Sequence, residues 1–147
     1  MTTRVRQGSL GVLVLLLLEY GFGMYVNLYV QVPGADHGGD IGSAISNGPA
    51  LLSLHAVLGL LLGLAAIGVL VQAIAARHVT AIVPAAIGLI AVALAAMAGA
   101  DFTSTGHAAE SLAMAVMTGV ALLCYCAVLF LRPAGVTRGR PAGRPRR

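Results

Sequence analysis

The sequence predicts an all-α membrane protein, an antiparallel bundle of four transmembrane helices with both termini in the cytoplasm. Three observations lead there. The 147-residue chain is 59% hydrophobic and only 10% charged, less than half of the roughly 25% charge of a soluble domain, and its mean hydropathy is +0.92. Four apolar stretches, about 10–32, 51–75, 80–99 and 111–131, are each long enough to cross roughly 30 Å of hydrocarbon at 1.5 Å per residue. All nine basic residues are arginines, and every one lies outside those stretches.

The first stretch follows Arg4 and Arg6 and has the basic start of a signal peptide. Its apolar run is too long for one and no A-x-A-like cleavage site follows, so it reads as a retained helix. The segment PGADHGGDIGSAISNGP after it is too rich in glycine for a helix and reads as a flexible loop over 33–50. The second and third stretches are joined by a short basic turn, Ala76-Arg77-His78-Val79. The third and fourth are joined by 100–110, which holds Asp101 and Glu110 and no arginine. The arginines therefore mark one side and the acids of the loops the other. The positive-inside rule puts the termini and the 76–79 turn in the cytoplasm, and loops 33–50 and 100–110 outside.

Residues 1–131 thus form the transmembrane domain, and 132–147 form a tail. The tail, RPAGVTRGRPAGRPRR, carries Arg132, Arg138, Arg140, Arg144, Arg146 and Arg147 and no acid. Rich in Pro, Gly and Arg, it builds no core and reads as disordered. Its expected partner is the anionic headgroup layer, at about 1 kcal/mol per arginine near the surface. The net charge of +4 is accounted for by this topology signal, so nucleic acid is not an expected partner.

Few polar residues lie within the apolar stretches, and they are the candidates for function. Glu19 sits near the middle of the first, where a charged acid costs about 2.5–3.5 kcal/mol on insertion scales, so it should be neutral or face the bundle interior. Glu19, Gly23 and Asn27 follow one another at i, i+4 and i+8 on one stripe, with Tyr20 beside it. His55 interrupts the hydrocarbon run LLSLHAVLGLLLG one turn inside the second stretch, on a face shared with Gly59 and Gly63. These glycines form a GxxxG pair of the kind that lets helices approach closely. Either His55 is a neutral imidazole bonded to Asn27 or a loop carbonyl, or it is a metal or haem ligand or a proton-transfer group. In the ligand reading His107 is its natural partner, with Glu110 three residues further on. Two histidines and a carboxylate suit Zn or Cu, and two histidines alone suit a haem iron. Otherwise Glu110 complements the N-terminal dipole of its helix and His107 is solvated.

Tyr25 and Tyr29 are placed as interfacial anchors at the end of the first helix. Gly88, Ala91, Ala95 and Gly99 make a small-residue face on the third. Cys124 and Cys126, two apart on a helix, point about 200° from each other and behave as small apolar side chains. No Ser-His-Asp arrangement, phosphate loop, dinucleotide fingerprint or HExxH is present.

Three stretches, MYVNLYVQVP at 24–33, SNGPALLSLHAVLGLLLG at 46–63 and GADFTSTGHAAESLAMAVMTGVALLCY at 99–125, together resemble a group of small four-helix integral membrane proteins of high-GC Gram-positive bacteria. The resemblance covers most of the chain except the tail. It implies four spans in a bacterial plasma membrane and carries over no catalytic residue. The layout is also similar to one half of haem A synthase, a four-helix bundle with histidines near the outer ends of its second and fourth helices, where His55 and His107 stand here. The acidic motif before the second-helix histidine of that family has no counterpart in Leu51 to Leu54.

Three functions follow as expectations. The first is a non-enzymatic structural or accessory subunit that meets a membrane-protein partner or a second copy of itself. The second is a haem- or metal-binding redox protein using His55 and His107. The third is a small proton-coupled carrier with Glu19 as the proton site.

Overall fold

The computed structural model describes residues 3–30 and 49–130, with Gly42 and Ser46 between them. Four helices make up these segments: α1 (Thr3–Tyr29), α2 (Ala50–Ala75), α3 (Val79–Thr105) and α4 (Ala108–Phe130). All four are long and apolar enough to cross a membrane, at about 35–40 Å each. This is a multi-pass, all-helical membrane bundle. Apart from Gly42 and Ser46, both helical, and from Pro49 and Ala50, the expected loop 33–50 lies outside the described residues, as does the tail 132–147.

The helix boundaries differ from the sequence reading at informative places. α1 begins at Thr3, not Leu10, because its first turns carry a buried face of their own: Val5 and Ser9 are fully buried. The Ser9 hydroxyl donates to the Val5 carbonyl at 2.9 Å, which removes its polarity from the apolar surroundings. α3 runs on through Thr105 where a loop over 100–110 was expected. The hydroxyls of that segment turn back onto their own helix. Thr103 donates to the Ala100 carbonyl, and Ser104 and Thr105 donate to that of Asp101. Gly106 then stops the helix in the left-handed conformation at φ 66°, which glycine adopts without steric cost. The connection shrinks to Gly106 and His107, and Glu110 falls in the first turn of α4.

At the other end α2 closes in a Schellman motif. The Arg77 N–H donates to the Ile74 carbonyl and the His78 N–H to that of Ala73. Arg77 occupies the left-handed position at φ 52°, where glycine is usual. The charge stands there although the backbone disfavours it.

Each helix packs against its two neighbours in the ring α1–α2–α3–α4–α1 and not across it. The α3–α4 contact is the most extensive. Along α1 and α2 the opposed residues run in contrary order: Val26 clusters with Leu52, Gly23 faces His55, Gly59 faces Glu19, and Gly8 faces Val69. The main core lies toward the Arg77 end, and six of its fifteen buried residues are alanines. Ala66, Ala73, Ala85 and Ala121 are all 0% exposed, whereas Leu60, Leu123 and Phe130 are 65%, 73% and 82% exposed. Alanines at helix contacts and large apolar side chains on the outside suit a bundle surrounded by lipid, where close backbone approach contributes much of the packing.

The closest approach centres on Gly88. A Cβ there would stand 2.8 Å from Cε2 of the fully buried Tyr125 and 3.2 Å from Cβ of Cys124. Gly63, by contrast, has nothing within 4 Å of such a position. The expected GxxxG face is therefore split: Gly59 packs inside the chain and Gly63 does not. Gly88→Leu is predicted to destabilise the bundle by about 1–3 kcal/mol through overpacking, while Gly63→Leu stays within about 0.5 kcal/mol of the parent. Denaturant unfolding in detergent micelles measures both, and equal losses would contradict this division of the two glycines.

Candidate functional site

Glu19 and His55 meet. His55 Nδ1 lies 3.1 Å from Glu19 Oε1, and the side chains are 24% and 13% exposed. The separation is that of a hydrogen bond, but the alignment is not: Nδ1 makes no well-directed bond, and Glu19 Oε2 is buried without any partner. The contact is an electrostatic approach of carboxylate and imidazole with hydrogen-bonding capacity left over.

The pair depends on two glycines placed reciprocally. Four residues beyond Glu19 on α1, Gly23 lies under the imidazole, where a Cβ would be 3.1 Å from His55 Cε1. Four residues beyond His55 on α2, Gly59 lies under the carboxylate, where a Cβ would be 2.9 Å from Glu19 Oε1. Each helix contributes one polar side chain and, one turn on, the recess that receives the other's. His55 and Glu19 are thus offset by one turn in depth, and the reach of both side chains closes the gap. The site separates two apolar clusters. Leu16 and Leu62 belong to the main core on one side, and Val26 and Leu52 form a smaller cluster on the other.

The remaining candidates fall elsewhere. Asn27 does not serve His55; its Oδ1 accepts a hydrogen bond from Ser111 Oγ at 3.0 Å, which ties α1 to α4. His107 is exposed in the Gly106 turn, its N–H donating to Thr105 Oγ1 and its carbonyl accepting from the Glu110 N–H. Among the described residues no three His, Cys, Asp or Glu side chains form a group that could hold a metal ion, so His55, His107 and Glu110 are not gathered as a ligand set. Tyr20 is exposed, and Tyr25 and Tyr29 are exposed with ring centroids 5.1 Å apart at the end of α1. Cys124 and Cys126 are free thiols. Arg132, Arg138, Arg140, Arg144, Arg146 and Arg147 lie outside the described residues.

Sequence reasoning missed Ser111, Tyr125 and, above all, the identity of the partner of Glu19. A signal was present: E-x-x-x-G at 19–23 and H-x-x-x-G at 55–59 become complementary once neighbouring helices run in contrary order.

Chemically the pair can hold and relay a proton. The imidazole presents Nδ1 to the carboxylate, and Nε2, on the opposite edge of the ring, is not among the buried unpartnered atoms. A proton taken up at Nε2 makes an imidazolium, whose Nδ1 proton can pass to Oε1. This leaves a neutral carboxylic acid and a neutral imidazole of the other tautomer.

No protein-family model, curated protein or solved structure matches the chain. The geometry therefore carries the functional argument. A double-mutant cycle on Glu19→Ala and His55→Ala is predicted to give a coupling of about 0.6–1.7 kcal/mol in unfolding free energy, the range for polar pairs between membrane helices. Additive losses would mean that the two side chains do not interact.

Proposed function

We propose that this chain is a small, non-enzymatic, proton-coupled membrane carrier in which Glu19 and His55 form the proton-binding site. The observation that carries the reading is the 3.1 Å approach of a carboxylate and an imidazole within membrane-length helices. Ionisable groups at such depth are costly and mark proton or substrate pathways. Their reciprocal seating on Gly59 and Gly23 holds the two groups at transfer distance. The relay step needs no cofactor: the carboxylate receives what the imidazole releases.

The proposal includes an antiparallel arrangement with both termini in the cytoplasm. Arg4 shares a groove with Gln72, Ala75 and Ala76, beside the turn that holds Arg77, so two of the three basic segments stand at one end of the bundle. Asp101, His107 and Glu110 stand at the other. In this orientation the arginine tail rests on anionic headgroups of the inner leaflet of a bacterial plasma membrane. The likeness to small four-helix proteins of high-GC Gram-positive bacteria belongs to the same reading. A second reading, an accessory subunit, is favoured by Gly63, which has open space around it and offers a partner helix or a second copy a place of close approach.

Two measurements test these points. A cytoplasm-dependent reporter fused after Arg147 should be active and a tag in loop 33–50 should be labelled from outside intact cells; the reverse pattern overturns the orientation. In proteoliposomes loaded with a pH dye, an imposed potential should drive proton flux that Glu19→Gln abolishes and His55→Ala lowers at least ten-fold. Unchanged flux in Glu19→Gln would remove the carrier reading, and co-purification of a stoichiometric partner lost on Gly63→Leu would put the accessory reading in its place.

A further inference from the structure

α1 and α2 run in contrary order, so the first turn of α1 stands beside the last turn of α2 at the Arg77 end. Between them opens a groove of about 660 Å³ lined by Thr3, Arg4, Gln72, Ala75 and Ala76, a volume in the range of small-molecule sites, roughly 300–1,000 Å³. Hydrogen-bond donors dominate its polar lining: the Arg4 guanidinium, the Thr3 hydroxyl and the Gln72 amide. The amide lies against α1 at Gly8, where a Cβ would stand 3.7 Å from Oε1 and 3.8 Å from Nε2. Its Oε1 is buried without a partner, and its Nε2 is not among the buried unpartnered atoms. The chain thus leaves hydrogen-bonding capacity unused three residues before α2 ends. It supplies no counter-charge there either. Among the described residues the one ion pair is that of His55 with Glu19, and Glu19 lies fifteen residues along α1 from Arg4, about 22 Å. Asp36 and Asp40 follow the far end of α1 in sequence, and Asp101 and Glu110 flank the turn between α3 and α4.

Toward the middle of the bundle the same surface turns apolar. Leu10 and Gly11 follow Thr3 and Arg4 by seven residues, two turns on along one side of α1. Val71 precedes Ala75 by one turn on one side of α2. Leu10, Gly11 and Val71 are all exposed, and a Cβ at Gly11 would meet nothing within 4 Å. A donor-lined groove therefore gives way to an open apolar strip.

We infer that this groove binds the phosphate of an anionic phospholipid whose acyl chains lie along Leu10, Gly11 and Val71. Arg4 supplies the charge, and Thr3 and Gln72 donate hydrogen bonds to the phosphate oxygens. The groove lies at the end of membrane-length helices, at the level of the headgroups. A soluble phosphate gains nothing from the apolar strip, whereas a lipid matches both halves of the surface. The bare Arg4 charge, with Arg6 in the same turn and Arg77 just after Ala76, favours a headgroup of net negative charge. The site draws on neither Glu19 nor His55, so it stands or falls apart from the carrier reading.

Titration of the full chain with phosphatidylglycerol in a neutral detergent, read by native mass spectrometry, tests the site. Arg4→Gln removes the charge, Gln72→Leu the amide, and Ala75→Phe fills the groove without touching a charge. Each should weaken binding of the first lipid by about five-fold or more, the equivalent of one arginine contact at the surface. Arg6→Gln removes the same charge from the same turn outside the groove and should leave that affinity within about two-fold of the parent. Arg4 and Ala75 are exposed, so these two variants carry the test if circular dichroism shows that Gln72→Leu does not fold. Equal losses in Arg4→Gln and Arg6→Gln, or parent-like binding by Ala75→Phe, would mean that surface charge alone holds the lipid, and would overturn the groove. Displacement of the lipid by millimolar inorganic phosphate would assign the groove to a soluble phosphate compound and overturn the lipid as its occupant.

Discussion

A carboxylate and an imidazole in the middle of an apolar bundle must answer one another, because lipid offers neither a hydrogen bond nor a counter-charge. In this chain Glu19 and His55 approach each other to 3.1 Å with hydrogen-bonding capacity left over, and the constraint reaches well beyond the two side chains. For them to touch, α1 and α2 must come close at this depth, which a Cβ at Gly23 or Gly59 would obstruct. Once those glycines face the pair, the register of α1 against α2 is set along its length. Val26 falls beside Leu52 at one end and Gly8 against Val69 at the other.

The rest of the bundle supports this contact from the opposite side. α3 and α4 pack more extensively than any other pair, through a small-residue face whose members do separate work. Gly88 receives Tyr125, Gly99 receives the Met114 sulfur, and Ala85 and Ala91 lie in the core. The Ser111–Asn27 bond closes the ring between α4 and α1. Polar atoms are otherwise handled locally, by hydroxyls of Ser9, Thr103 and Thr118 that bond to carbonyls of their own helices. The buried side-chain atoms left without a partner are confined, among the described residues, to Glu19, His55, Tyr125 and Gln72. Those groups are the ones with chemistry to spare.

Charge is placed with the same economy. Arg77 sits in a left-handed position that glycine would fill with less strain. A cation in that turn helps to fix which side of the membrane it occupies, so the local cost coincides with a topological constraint. Glu110, in the first turn of α4, complements the positive end of its helix and needs no metal to account for its position.

Much of the fold was legible in composition and period alone: four apolar spans, arginines segregated from the acids of the loops, and a polar stripe at Glu19, Gly23 and Asn27. These are local properties, because hydrophobic length and charge distribution depend only on the order of residues along the chain. The true start of α1 and the short Gly106-His107 turn were less legible. Buried contacts of Val5 and Ser9 decide the first, and hydroxyl bonds back onto α3 decide the second. The partner of Glu19 was not legible at all. Its direction depends on how α1 is rotated and its meeting with His55 on two glycines from different helices, and only the packing of one helix on another settles both together.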